Sequence, residues 1–183
     1  MDLDVEQIEM VNYVRKLAPS EKVRRKGEWN KFFGDVTNRL VLEGIAKHIP
    51  KDFAATGPGS YIEGIASEFD ALIVKKGALP AKPTNAFHRS SVLLAIEVKR
   101  RGVFYKKEEA EHEMRQHHLR LLKGLEKIPL LYITFHESEK LIHATKSVYG
   151  DYAFFMSTGT DYSQIIPGEW KRFVLTVLSI LET

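Results

Sequence analysis

The chain has 183 residues, of which 44% are hydrophobic and 28% charged, and this composition fits one globular domain with a substantial core. It contains no cysteine, which excludes a disulfide framework and a thiolate metal site and is compatible with a reducing, intracellular setting. The net charge of +3 permits a polyanionic partner but is too small to require one.

We expect neither a secretory signal nor a membrane span. Met1 to Glu9 is acidic and lacks the apolar run of a signal peptide. No stretch of the sequence approaches the length needed to cross a bilayer. The expected location is therefore the cytoplasm, with no membrane partner.

The first predicted element is a helix from Leu3 to Leu17, where apolar residues recur at helical spacing before Pro19. A small basic cluster follows it, made of Lys22, Arg24, Arg25 and Lys26. This cluster is either a solvated linker or a segment that contacts phosphates at the mouth of a site.

A long second helix is predicted from Glu28 to Ile49, because Pro50 ends it and large apolar residues form a stripe along it. The predicted stripe consists of Trp29, Phe32, Phe33, Val36 and Leu40. Glu28 lies in the first turn and Glu43 close to the stripe. Each is either a solvated surface acid or a candidate site residue.

The next segment predicts a hairpin followed by a buried strand. Phe53 to Ile65 is rich in glycine and proline around a short strand near Ser60 to Ile62, which we expect at the edge of the first hairpin. Glu68 to Val74 (EFDALIV) reads as a short strand with Asp70 on one face. Gly77 to Ser90 is an insertion whose prolines exclude a central strand.

The most informative stretch is the strand that starts at Val92 and carries two charges at its end. Val92 to Ile96 is an unbroken apolar run, as in a strand buried on both faces. Glu97 and Lys99 follow two residues apart, so a pleated strand places both on one face. A buried carboxylate and ammonium must pair with each other or bind a metal, because neither tolerates isolation away from water.

The tripeptide Glu-x-Lys is not informative by itself. About 0.7 copies are expected by chance in a chain of this length, and Glu169-Trp170-Lys171 is a second copy at the start of a predicted helix. The position of Glu97 and Lys99 at the end of a buried strand, one strand after Asp70, carries the argument. The alternative is a buried ion pair that ties two strands together.

The remaining sequence predicts a helix, a parallel strand, two short strands and a last helix. The helix runs from Lys106 to Lys127, and its stripe includes His117, which we interpret as a partly buried core histidine. Leu130 to Phe135 is a buried strand parallel to the one before it. Leu141 to Val148 and Tyr152 to Ser157 are predicted strands. Pro167 opens the last helix.

Asp70 on one strand, followed after a loop by Glu97-Val98-Lys99 on the next, with a long helix before and another after, resembles the PD-(D/E)XK nuclease superfamily. The resemblance covers roughly Gly27 to Phe135. Phe69 stands where many members have proline, and the segment between Asp70 and Glu97 is longer than a tight hairpin needs. The resemblance implies a restriction-endonuclease-like α/β fold with a central mixed sheet flanked by helices on both faces.

The implied organisation is a single nuclease-like domain over residues 1–183, with an N-terminal helix and basic linker over 1–26 and an α/β core over 27–183. The implied activity is Mg²⁺-dependent hydrolysis of phosphodiester bonds in DNA, with Mn²⁺ as a substitute. Asp70 and Glu97 would bind the cation, Lys99 would assist the attacking water, and Glu28 would add a helix-borne acid. The expected DNA-contacting residues are Arg24, Arg25, Lys82, Arg89 and Arg100.

Two other classes of function stay open. One is a catalytically inactive nuclease-fold module that binds nucleic acid, in which Glu97 and Lys99 only pair. The other is an assembly protein that dimerises through its N-terminal helix. RNA is an alternative substrate, and a homodimer is compatible with each alternative. The insertion Gly77 to Ser90 is expected to be poorly ordered until it contacts a phosphate backbone, or to be a surface insertion without a partner.

Overall fold

The computed structural model describes residues 2–17, 26–99, 110–159 and 162–183. Its helices are α1 (Leu3–Leu17), α2 (Lys26–Ala46), α3 (Ala110–Leu122), α4 (Glu139–Tyr149) and α5 (Glu169–Leu181). Its strands are β1 (Phe53–Thr56), β2 (Ser60–Ile62), β3 (Glu68–Phe69), β4 (Ala71–Lys75), β5 (Ala86–Phe87), β6 (Val92–Lys99), β7 (Leu130–Thr134), β8 (Ala153–Phe155), β9 (Ser157–Thr158) and β10 (Gln164–Ile165). None of the helices in these four segments has the length and apolar character to cross a membrane.

The central sheet has five strands in the order β1-β4-β6-β7-β8. The neighbours β1, β4 and β6 are antiparallel, whereas β6, β7 and β8 are parallel. The parallel neighbours are joined through α3 and α4, as parallel connections require a crossover. Two small sheets, β3-β2-β5 and β10-β9, lie outside it. The predicted mixed α/β architecture is confirmed.

The two faces of the sheet carry separate hydrophobic layers. One layer joins α1, α2 and α5 to strand residues that include Ile96 and Val98, and the other joins α3 and α4 to residues that include Leu72, Val74 and Ala95. Alternate residues of a strand point to opposite faces, so β6 contributes to both layers. Helices therefore flank the sheet on both sides, as expected.

Helix α1 is part of this core. Val11 and Val14 are fully buried in the layer that α2 and α5 share. The Gln7 amide donates to the carbonyl oxygens of Met156 and Ile166 at 3.1 and 2.6 Å. The face of α1 that carries Val11 and Val14 is therefore buried within its own chain, whereas Val5, Ile8 and Tyr13 of the same helix are exposed.

The buried stripe of α2 differs from the one predicted. Phe33, Val41 and Ile45 are fully buried, whereas Phe32 is 43% exposed. The buried positions recur at steps of four and eight residues, which is the spacing of one helix face. The prediction included Phe32 and omitted Val41 and Ile45, and so placed the stripe partly on the exposed face.

The segment Glu68 to Val74 is two strands rather than one. β3 pairs with β2 in a small sheet, and β4 pairs with β1 and β6 in the central sheet. The first hairpin of the central sheet is therefore β1 with β4, and the prediction that Ser60 to Ile62 forms its edge is wrong. Asp70 lies at the bend between β3 and β4.

Leu141 to Val148 is not a strand but part of α4. Thr145 and Tyr149, four residues apart, are buried, and Ile142 and Val148 pack against the same layer. This three- and four-residue spacing is helical, although the segment is short enough to resemble a strand. Gly150, at φ 57°, ends the helix.

The insertion between β4 and β6 is an ordered element, so the expected poorly ordered loop is wrong. β5 pairs in parallel with β2, and Ala81 N–H donates to the carbonyl oxygen of Ala86 at 2.8 Å. Phe87 is buried in the layer beneath α3 and α4. The buried side chain of Phe87 and a few backbone hydrogen bonds hold this insertion in place, although its two prolines had suggested an irregular loop.

Candidate active site

Asp70 is held at the bend by a close approach of the β1–β2 turn. Gly57 has φ 152°, and a Cβ there would lie 2.3 Å from the carbonyl oxygen of Asp70. Only glycine permits this approach, because any side chain would collide with the backbone that carries the acid. The turn therefore fixes the point at which the chain leaves the small sheet for the central one.

Glu97 and Lys99 come from the end of β6, beside β4 and β7. Ala71 is opposite Ile96, and Glu97 is opposite Tyr132. Glu97 and Lys99 share the face of Ala95, which α3 and α4 cover. The side chain of Glu97 is 6% exposed, and those of Lys99 and Asp70 are 27% and 24% exposed. The site thus opens to solvent at one side.

Asp70 and Glu97 both contact the ammonium group of Lys99. Lys99 Nζ donates to Glu97 Oε1 and lies 3.4 Å from Asp70 Oδ2. Asp70 also accepts from the backbone N–H of Val98 at 2.9 Å and from the amide of Asn38 at 3.0 Å. Both carboxylates therefore reach one ammonium at the end of β6.

A histidine from α3 completes the cluster. His117 Nε2 lies 3.5 Å from Glu97 Oε1, which is longer than the 2.7–3.2 Å of an ordinary N–H···O hydrogen bond. This nitrogen is buried and makes no hydrogen bond within the described part of the chain. In this arrangement it is an electrostatic neighbour of Glu97 rather than a bonded partner.

The surroundings shift the pKa values of Asp70 and Glu97 in opposite directions. Burial raises the pKa of Asp70, the charge of Glu97 adds to that effect, and Lys99 opposes it. Burial alone would also raise the pKa of Glu97, but His117 and Lys99 outweigh it and hold that pKa below its usual range. Burial alone would lower the pKa of Lys99, and the two carboxylates keep it above its usual value.

The cluster therefore holds two carboxylates for one ammonium, and Asp70 carries the charge that is least balanced. Oxygen donors of this kind suit a hard divalent cation. The ammonium already lies against both acids, which shows that the space between them favours positive charge. Among the described residues no three His, Asp or Glu side chains are placed to hold a metal ion. A bound cation would thus keep several waters, as Mg²⁺ does.

Other predicted site residues are not part of this cluster. Glu43 is exposed and lines a groove with residues of α1, including Met10 and Tyr13. Lys82 is exposed, and Arg89 pairs with Glu126 at 3.3 Å. Glu28 lies in the first turn of α2, but its side chain lies outside what the structure describes, as do Arg24, Arg25 and Arg100.

Sequence reasoning missed two members of the cluster. Asn38 is a buried amide in the middle of α2, and it contacts Asp70 where a helix-borne acid was expected. His117 was placed on the correct helix face but interpreted as core. The signal that could have identified both residues is a polar side chain among the buried apolar positions of a helix, since buried polar groups require a hydrogen-bond partner.

The chain is similar to solved structures of NucC. The cAAA-bound form from E. coli MS115-1 is 12% identical, with a TM-score of 0.58 over 100% of this chain and 90% of that one. The apo form of the same protein is 13% identical, with a TM-score of 0.51 over 79% and 82% of the two chains. The cAAA-bound form from P. aeruginosa ATCC27853 is 11% identical, with a TM-score of 0.59 over 100% and 91%.

At these identities the similarity establishes the fold alone, which is restriction-endonuclease-like. No protein-family model matches the sequence, and no curated protein matches it. The roles of individual residues therefore depend on the geometry of the cluster itself.

Proposed function

We propose that this protein is a metal-dependent nuclease that hydrolyses phosphodiester bonds of DNA. The observation that carries the proposal is the convergence of Asp70 and Glu97, two largely buried carboxylates from neighbouring strands, on the single ammonium of Lys99. A structural ion pair needs one acid for one base. The second acid leaves a negative charge that a divalent cation can balance.

Asp70 and Glu97 would hold Mg²⁺, with Mn²⁺ able to replace it. When bound, the cation supplies charge neutralisation on the phosphate and on the leaving oxygen. Lys99 lies between the acids and reaches the open side of the site. Its ammonium can orient the attacking water and stabilise the negative charge that develops on the phosphate oxygens.

Val98 and Asn38 prepare Asp70 for this role. The backbone N–H of Val98 donates to Oδ2 of Asp70, and the side-chain amide of Asn38 donates to Oδ1. These two hydrogen bonds fix the plane of the carboxylate. Neither donor carries a full charge, so the carboxylate keeps its attraction for a cation. Asn38 thus orients the acid without adding a third carboxylate, which limits the site to two acidic ligands within the described residues.

Cleavage of DNA with Mg²⁺ or Mn²⁺, and its loss in excess EDTA, is the direct test. We expect Ca²⁺ to bind and to support little turnover. Asp70→Asn should abolish cleavage, whereas Asp35→Asn, which changes an exposed acid on α2, should not. Equal cleavage in EDTA would show a contaminant or a different mechanism. Binding of DNA without cleavage of any form tested would favour the inactive binding module.

Because two of the similar structures hold cAAA, we also propose cAAA as a candidate ligand of this chain. Isothermal titration of cAAA into the purified protein tests this directly. Cleavage measured with and without cAAA then shows whether the ligand regulates turnover. No heat of binding and no change in cleavage would remove this part of the proposal.

A further inference from the structure

His117 on α3 has a buried nitrogen that faces the proposed cation site and has no hydrogen-bond partner within the described segments. Its Nε2 makes no hydrogen bond among the described residues, and the oxygen placed 3.5 Å from it is Glu97 Oε1. Buried polar atoms in native proteins are almost always hydrogen-bonded. Among the described residues, Glu97 Oε1 is placed to become the missing acceptor.

The packing of α3 fixes where His117 points. The neighbouring His118 ring meets Tyr149 edge to face at 4.3 Å, and Tyr149 stacks on Tyr132 at 4.7 Å. Tyr132 lies opposite Glu97 in the β6–β7 register. Leu121, one turn after His117, is buried in the same layer. This chain of contacts holds the helix against the strand that carries Glu97.

Lys99 cannot keep its present position once a divalent cation shares the two carboxylates. Two positive groups, one of them doubly charged, repel each other, and partial burial of the site leaves this repulsion weakly screened. The ammonium must therefore withdraw toward the open side of the site. Glu97, with a side chain only 6% exposed, then loses the group that now holds Oε1.

We propose that His117 is a positioning residue for Glu97, whose imidazole N–H takes over Oε1 when Lys99 withdraws and so fixes the carboxylate for the cation. The inference rests on the proposed function, because it presupposes a cation shared by Asp70 and Glu97. The gap to close is about 0.3 Å beyond the usual hydrogen-bond length, which a small rotation of the ring covers.

The chemistry of both groups permits this contact. A carboxylate oxygen has two lone pairs, so Oε1 can accept from His117 and still coordinate a cation. The neutral imidazole donates through Nε2 in the tautomer that carries its proton there, and no change of charge is required. Hydrogen bonds of this kind orient metal ligands, and losing one typically weakens metal binding by about 10–100-fold.

The test compares two replacements of similar length in the full chain. His117→Gln keeps an N–H donor, and His117→Met keeps an unbranched side chain without one. Mn²⁺ binding is measured by electron paramagnetic resonance and calorimetry without DNA. We expect the dissociation constant to rise about 10–100-fold for His117→Met and only a few-fold for His117→Gln. His112→Gln, on the exposed face of the same helix, should bind as the wild type does.

A purely structural role for His117 predicts a different pattern. The two variants would then differ in melting temperature but bind Mn²⁺ equally, and that result would overturn the inference. Asp70→Asn separates this failure from failure of the proposed function. If the wild type binds no Mn²⁺, or if Asp70→Asn binds it equally well, the metal site itself is absent and both proposals fall.

Discussion

Two clusters in the described structure contain a glutamate, a lysine and a histidine, but only the one that also contains Asp70 is the proposed active site. In the first, Glu6 of α1 meets Lys47 and His48 just after α2. In the second, Glu97 meets Lys99 and His117. Both glutamates are nearly inaccessible to solvent, with side chains 3% and 6% exposed.

The first cluster is closed, which means that both carboxylate oxygens of Glu6 have partners within it. Glu6 Oε1 accepts from Lys47 at 3.1 Å, and Oε2 contacts His48 at 2.8 Å and accepts from Trp170 Nε1 at 2.9 Å. Burial would raise the pKa of Glu6, but these partners hold it below its usual value. One acid is matched by its donors, and the cluster joins α1, α2 and α5.

The second cluster is unbalanced, because Asp70 shares the same ammonium with Glu97. Its pKa is raised, while that of Glu97 is lowered. The comparison teaches that residue types alone do not distinguish a structural ion pair from a catalytic site. What distinguishes them here is the second acid, because Asp70 and Glu97 share the ammonium of Lys99, whereas among the described residues Glu6 has Lys47 to itself.

Removing Lys99 tests the unbalanced cluster and should give the largest effect. Lys99→Ala is expected to lower turnover about 10²–10⁴-fold while DNA affinity is kept. If Glu97 and Lys99 were only a buried ion pair, the change would instead cost about 3–5 kcal/mol of unfolding free energy. Cleavage rates and chemical denaturation together separate a folded, inactive enzyme from an unfolded protein.

Lys47→Ala is the matched control in the closed cluster, because Lys47 is 52% exposed and Glu6 keeps two other partners. We expect normal cleavage and a loss of less than about 1 kcal/mol. A Lys99→Ala protein with wild-type stability and undiminished cleavage would contradict both interpretations of the site.

Removing Glu6 tests the closed cluster. Glu6→Ala leaves the buried Trp170 N–H without its carboxylate and should lower the free energy of unfolding by about 3–5 kcal/mol. Denaturant titration measures this loss. Cleavage per folded molecule should be unchanged, since the recorded partners of Glu6 are Lys47, His48 and Trp170 and none of these contacts Asp70, Glu97 or Lys99 in the described structure. Reduced turnover in the folded fraction would show that the two clusters are coupled.

A third buried acid, Glu137, extends the comparison to a carboxyl for which no cationic partner is found in the part of the chain that the structure describes. It is 1% exposed and follows β7, and burial raises its pKa to about 7. An acid with a raised folded-state pKa stabilises the fold below its unfolded value of 4.5 and loses that contribution as pH rises toward 7. The loss should reach about 3 kcal/mol.

Glu137→Gln should remove most of this pH dependence, because the amide oxygen can still accept from the backbone N–H of Ser138. Unfolding free energies measured between pH 4.5 and 8 provide the test, and the variant should be the more stable protein at pH 8. Parallel pH profiles for the variant and the wild type would show that Glu137 is not the group responsible.

The smallest expected effect concerns basic residues remote from both clusters. Replacing Lys82 and Arg89 with alanine should weaken DNA binding for all sequences and lower the log–log salt slope by about one to two units. Affinities measured across a salt series give this slope. The control is Lys51→Ala with Lys75→Ala, which removes two exposed lysines near the β1 edge of the sheet. An unchanged slope in the first variant would exclude this insertion from the DNA surface.

Local periodicity determined much of the fold and half of the candidate site. The two-residue repeat of a strand placed Glu97 with Lys99 and turned Ile96 and Val98 to the opposite layer, as observed. The helical repeat predicted the bounds of α1 correctly. Such features depend on neighbours a few residues apart, so the sequence by itself specifies them.

Only the tertiary structure decided which distant side chains reach the acids. Asn38 comes from 32 residues before Asp70, and His117 comes from the helix that follows β6. The break between β3 and β4, the helix at Glu139–Tyr149 and the ordered insertion also depend on contacts between separate elements. Local helix and strand propensities differ little between these alternative structures, so packing between distant elements selects one of them. That packing also determines which groups lie next to each buried charge.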